Sequence, residues 1–139
     1  MTTYFLLACS LLTTATAHTA AVDDEAVIRA VIEQFAEGAD AQQSARVAEV
    51  LHAEAQQFFQ GPNGLVRLTH EAYINMLDAK QIGGSPRTLV VHNVDVNGNL
   101  AVASVTMQGE QAHFENYIAL MKTDGGWQIV SVILRMETM

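Results

Sequence analysis

Val27, Ile28, Val31, Ile32 and Phe35 recur three and four residues apart along DDEAVIRAVIEQFAEGADA, the period of an amphipathic helix. Asp23 or Asp24 is the expected cap, acidic residues suit the positive end of the helix dipole, and Gly38 is the expected stop. A second helix is predicted over residues 44–52, with Val47, Val50 and Leu51 on one face. Thr69 opens a third, THEAYINMLDAK, with Tyr73, Met76 and Leu77 as its buried stripe, and the glycines and proline of QIGGSPRT end it. From Thr88 the period changes to two. TLVVHNVDVNGNLAVASVTM is two alternating runs around Asn97-Gly98, and HFENYIALMKTDGGWQIVSVILRM repeats the design around Asp124-Gly125. Both loops read as type I′ hairpin turns. AQQFFQ adds an earlier strand. Helices, one strand, a helix and then a four-stranded antiparallel meander predict an α+β fold, with helices covering one face of a curved sheet.

The first residues follow neither period. Tyr4 to Ala17 is an uncharged apolar run, followed by small residues at Ala15-Thr16-Ala17 and Ala20-Ala21. The run is short for a bilayer span and suits the core and cleavage region of an export signal, although no Lys or Arg precedes it. A short amino-terminal anchor and a truncated export signal are the competing readings. Residues 1–20 are therefore read as a signal peptide and 21–139 as one domain, a length that can bury a real core. Cleavage after Ala17 or Ala20 would remove Cys9, the only cysteine, and with it thiol catalysis, disulfides and thiolate metal ligands. The mature protein would then have no membrane segment.

Composition narrows the partners. Half the chain is hydrophobic and 16% is charged, which fits a packed globule. The formal net charge of -8 argues against nucleic acid and anionic membranes, because phosphates would be repelled.

Four segments, AVIRAVIEQFAEG, VAEVLHAEAQQFF, VDVNGNLAVASVTM and HFENYIALMKTDGGWQIVSVIL, stand in an order that resembles the nuclear transport factor 2-like superfamily. Within it they are most similar to the SnoaL-like and putative lumazine-binding group, through Leu51-His52-Ala53-Glu54-Ala55, the Val96 to Val102 hairpin and Asp124-Gly125-Gly126-Trp127. The resemblance covers nearly everything after the first segment. It implies a cystatin-like cone: a curved antiparallel sheet wrapped around amino-terminal helices, with a pocket at the open end and homodimers formed through the outer sheet face. Relatives of this kind include isomerases, dehydratases, cyclases and hydrolases as well as domains with no chemistry, so the fold alone does not select a function.

Counting back from two-residue turns sorts the strands into faces. Val94 pairs with Ala101 and His92 with Ala103 in the first hairpin; Ile118 pairs with Ser131 and Asn116 with Ile133 in the second. The resemblance turns the Trp127 set inward, which places His92, Asn116 and Ser131 among apolar neighbours beside Phe59, Tyr73 and Trp127. A few polar groups in an apolar cavity is the usual form of a small-molecule site. The competing reading is core polar groups bonded to backbone or water. The outward set includes Tyr117, Val130, Val132 and Leu134, an apolar face suited to a homodimer, with Tyr117 as its anchor. His113 and Glu115 lie two apart on that face and read as an ion pair, since no third metal ligand is spaced nearby. His52 and Glu54 read as the closing of helix two.

The family's known chemistries lack their residues here. Steroid isomerases of the superfamily carry a carboxylate base just after the helix-to-strand segment, and the corresponding position is Phe59, which accepts no proton. Phe35 stands where a tyrosine of the oxyanion hole would be. Arg135 has no aspartate pair for an epoxide-hydrolase relay, and only His92 has an inward address for dehydratase chemistry. No nucleophile elbow or phosphate-binding loop is present in the sequence. The expectation is an exported, non-catalytic domain that binds a small, largely apolar ligand or serves as an accessory domain, without cofactor or metal. The alternative is a small isomerase, dehydratase or cyclase with His92 as general base and Asn116 or Ser131 polarising the substrate.

Overall fold

A computed structural model describes the backbone from residue 13 and the side chains from residue 23 to residue 139. Three helices, α1 (Thr13–Asp40), α2 (Ser44–Val50) and α3 (His70–Asp78), accompany six strands. The strands are β1 (Leu51–Gly61), β2 (Gly64–Thr69), β3 (Thr88–Asn97), β4 (Leu100–Gln108), β5 (Ala112–Thr123) and β6 (Gly126–Thr138). They form one sheet in the order β2-β1-β6-β5-β4-β3. The expected signal falls mainly on residues 1–12, outside the described residues, together with Cys9.

The expectation of an antiparallel cone is corrected on two counts. β1 and β6 run parallel, so the sheet is mixed. The sheet is also open, with β2 and β3 as free edges, and it does not curl strongly enough to close. Closure requires tilt and stagger between strands. Here β4, β5 and β6 pair in antiparallel register along nearly their whole lengths. The strand β2 was not expected: GPNG turns the chain, and GLVRLT returns beside β1, with Phe59 opposite Val66.

The helices pack on one face. α1 lies against β3 and β6, α3 against β1 and β2, and α2 between the other two helices and β1. Ile28, Ile32 and Phe35 of α1 enter the core with Val47, Leu51, Leu77, Ile118, Leu120 and Ile129, whereas Val27 remains exposed. α1 runs through the expected cap, so Asp24 is free for tertiary contacts: its Oδ1 accepts from Trp127 Nε1 at 3.0 Å and Lys122 Nζ at 3.2 Å. α3 begins as read, with Thr69 Oγ1 accepting from Ala72 N at 3.2 Å.

Two bulges rewrite the expected faces. Neither hairpin loop is type I′, which needs two positive φ angles. In the first, Asn97 pairs with Leu100 around Gly98-Asn99, and only Gly98 (φ 60) is left-handed. In the second, Thr123 pairs with Gly126 around Asp124-Gly125, and Gly126 (φ 87) takes the left-handed position. Farther along, His92 is an extra residue between the Val91–Val105 and Asn93–Ser104 pairs, and Val130 is one between Leu120–Ile129 and Ala119–Ser131. Because side chains alternate, one inserted residue reverses every face beyond it. Val132 and Leu134 therefore turn inward, and Ser131 and Ile133 turn outward.

Candidate functional site

Residues paired across strands share a face, so the inner surface can be read as rows. Gln57, Val132, Ile118 and Ala103 form one row, all buried. Phe59, Leu134, Asn116 and Val105 form the next, and Met136, Phe114, Met107 and Leu89 the third. Cover thins along these rows: Phe59, Leu134 and Phe114 are half-buried and Met136 is exposed. The helices thus leave an apolar shelf at one end of the inner face. Val66 and Leu68 of β2 extend it, and Tyr73 of α3 stands over it, its ring stacked on Phe35 with centroids 5.9 Å apart.

Polar groups border this shelf. Arg87, delivered by the loop after α3, lays its guanidinium 5.0 Å over the Phe114 ring. Its Nε donates to Asp40 Oδ1 at 2.6 Å and its backbone N–H to Asp40 Oδ2 at 3.0 Å, so the pair is neutral as a unit. The loop geometry depends on Gly83 (φ 75), where a Cβ would stand 2.1 Å from Ala39 O, and on Gly84 N–H donating to Asp40 O at 2.9 Å. Asn116 is buried and its Nδ2 donates to Val105 O at 3.3 Å. Gln57 is 4% exposed, and its Nε2 has no hydrogen-bonding partner. Burial pushes the Tyr73 hydroxyl up to about 12; nearby Arg87 and the Gln57 amide oppose the rise and Asp40 adds to it. The same Arg87 and Asp40 line a groove of about 450 Å³ between α1 and β3, together with Ala36, Leu89 and Val91 and the charged Arg29, Glu33 and Glu37.

The residues singled out from the sequence divide into three groups. Phe59, Tyr73 and Asn116 belong to the shelf. Trp127 is buried elsewhere, held by Asp24. His92 and Ser131 leave the inner face because of the two bulges. His92 is exposed on the outer side, with Nε2 2.6 Å from Thr106 Oγ1, so the alternative that made it a pocket base is corrected. Of the expected pairing face, Tyr117 is outward and 63% exposed, while Val132 (1%) and Leu134 are inward and Val130 sits at the bulge. Ile133, 60% exposed, takes their place beside Tyr117. Gln57, Asp40 and Arg87 were missed. For Gln57 a signal existed: Ala55, Gln57 and Phe59 alternate onto one face, with the amide between two apolar residues.

His113 and Glu115 do pair on the outer face. His113 Nε2 lies 2.7 Å from Glu115 Oε1 and Nδ1 2.5 Å from Gln108 Oε1, and the bond from His113 is the main force holding the Glu115 carboxyl below its usual range. Among the described residues no group of three His, Cys, Asp or Glu could hold a metal ion, and no helix is long and apolar enough to cross a membrane. His52 and Glu54 are scaffold in β1: His52 Nδ1 accepts from Glu54 N at 3.0 Å, and His52 O meets His70 Nδ1 at 3.1 Å.

Comparison with known proteins agrees with this architecture. The family described as "Putative lumazine-binding" matches residues 23–134. Among curated proteins nothing matches. A nuclear transport factor 2-like protein of unknown function from Silicibacter pomeroyi superposes with a TM-score of 0.71 at 18% identity, covering 90% of this chain and 100% of that one. Similar proteins of unknown function from Shewanella baltica (0.69, 19%, covering 91% and 98%) and Methylobacillus flagellatus (0.71, 20%, covering 84% and 94%) share the fold. The chain belongs to the putative lumazine-binding family and shares the nuclear transport factor 2-like fold.

Proposed function

We propose that this domain is non-catalytic and binds a small, largely apolar molecule on the inner-face shelf of Phe59, Leu134, Phe114 and Tyr73. The observation that carries the reading is the half-covered apolar surface itself, bordered by groups suited to holding rather than reacting: two amides, a phenol and the closed Arg87–Asp40 pair. A general base needs a free acceptor near neutral pKa beside the substrate. Asp40 is already engaged by two donors and His92 lies on the opposite face, so the shelf favours binding. Native mass spectrometry of the purified domain tests this, with a co-purified apolar adduct expected in the wild type and lost in Leu134→Glu. A bare mass after incubation with a panel of small apolar metabolites would overturn it.

Two further expectations belong to the same reading. The outer face, with Tyr117, Ile133, Val102 and Leu100 exposed, is an apolar band suited to a homodimer. Light scattering is expected to give a dimer for the wild type and a monomer for Ile133→Lys; a wild-type monomer at high micromolar concentration would reject the pairing. The segment 1–20 acts as an export signal in this reading, removed to leave a cysteine-free domain. Expression in a bacterial host followed by amino-terminal sequencing of the periplasmic fraction checks it, and an uncleaved cytoplasmic product would count against it.

A further inference from the structure

A buried amide donor without an acceptor costs free energy that a neighbouring apolar side chain cannot return. Gln57 is such a group, on the inward row next to the shelf, with Val132 on one side and Leu68 of β2 on the other. It sits two residues before Phe59 on the same face, and its amide lies near the Tyr73 hydroxyl without reaching hydrogen-bond geometry, so Nε2 stays unpaired. The nearest cation, Arg87, is closed on Asp40, so its pull on an anion at Tyr73 is opposed by Asp40 and is smaller than the cost of lost hydration. A ligand anion would meet the same loss of hydration that opposes ionisation of Tyr73, without a free cation to offset it.

Resting on the shelf reading above, we propose that the ligand is a neutral apolar molecule bearing a carbonyl oxygen, and that this oxygen accepts a hydrogen bond from Gln57 Nε2. The carbonyl supplies the acceptor the amide lacks, while the apolar body covers Phe59, Leu134 and Phe114. Nothing covalent is involved. Specificity follows from the donor: a hydrocarbon of the same shape fills the shelf but leaves Nε2 unpaired, and a carboxylate must be desolvated beside a neutral ion pair.

Three matched probes separate these cases: acetophenone, ethylbenzene and benzoate, titrated into ¹⁵N-labelled protein at neutral pH. Acetophenone is expected to move the Gln57 side-chain amide resonances, identified by their absence in Gln57→Leu, and ethylbenzene is expected to move only apolar shelf neighbours. Benzoate is expected to bind weakest. In Gln57→Leu the affinity for acetophenone relative to ethylbenzene should fall roughly fivefold to tenfold, the worth of one buried hydrogen bond. Gln57→Met repeats the comparison if the leucine variant does not fold, and the wild-type titration needs no variant. Unmoved Gln57 resonances, an unchanged affinity ratio in the variant, or tightest binding by benzoate would each overturn the proposal while leaving shelf binding intact. If none of the three moves any resonance of Phe59, Tyr73 or Leu134, the shelf reading itself fails, and this inference with it.

Discussion

Tyr73→Phe isolates one titrating group beside the proposed shelf. Phenylalanine keeps the ring that stacks on Phe35 at 5.9 Å and removes only the hydroxyl. In the folded protein burial raises that hydroxyl from 10.0 to about 12, while in the unfolded chain it ionises near its ordinary value. Between about pH 10 and pH 12 the native state therefore binds the extra proton, so stability falls as pH rises through this window. Below pH 9 both states are protonated and the contribution is constant. A shift of about two pH units corresponds to about 2 to 3 kcal/mol lost by pH 12. Urea unfolding followed by circular dichroism, at intervals from pH 8 to pH 12.5, measures the difference between wild type and variant. Every other alkaline titration is common to both proteins and cancels. The expected result is a constant difference up to pH 9.5, then a relative gain by Tyr73→Phe approaching that magnitude. Parallel curves across the whole range would refute the burial argument, as would an absorbance titration in which all three tyrosines ionise near pH 10.

Other outcomes follow from the same geometry. Asp24→Asn weakens the tie to Trp127 and Lys122, so the indole emission is expected to shift red and the melting temperature to fall. Because these contacts hold the Asp24 carboxyl below its usual value, their stabilisation is present above the unfolded pKa and disappears as pH drops through the folded one; an acid transition identical in both proteins would contradict this. The bulge at Val130 is tested by a pair of alanines: Val132→Ala should cost about 2 to 3 kcal/mol and Ile133→Ala about 0.5 kcal/mol or less in the monomer, an order that the uninterrupted register would reverse. Gly83→Ala forces a side chain against Ala39 O at a left-handed position, with an expected loss of about 2 to 4 kcal/mol in thermal unfolding, and neutral behaviour would mean that the loop carrying Arg87 is not held as described.

Local chemistry carried much of this protein. The helical stripe of Ile28, Ile32 and Phe35, the Thr69 cap, the positions of both meander hairpins and the family resemblance were all legible, because each depends on residues near one another in the chain. Phe59 and Tyr73 were legible as inward-facing residues for the same reason, standing at periodic positions. The tertiary structure decided the rest. No turn residue announces that β1 lies parallel to β6, since that pairing joins distant segments. The extra residues His92 and Val130 look like ordinary members of alternating strands, and only the partner strands reveal that each is unpaired. One residue each was enough to carry His92 and Ser131 off the inner face and bring Val132 and Leu134 onto it. The Arg87–Asp40 pair spans 47 positions, and the isolation of Gln57 Nε2 depends on everything packed around it. The sequence alone determined every helix and every strand except β2, and which family they build; register across the sheet determined which side chains meet, because period-two alternation has no memory of an inserted residue until a neighbouring strand pairs with it.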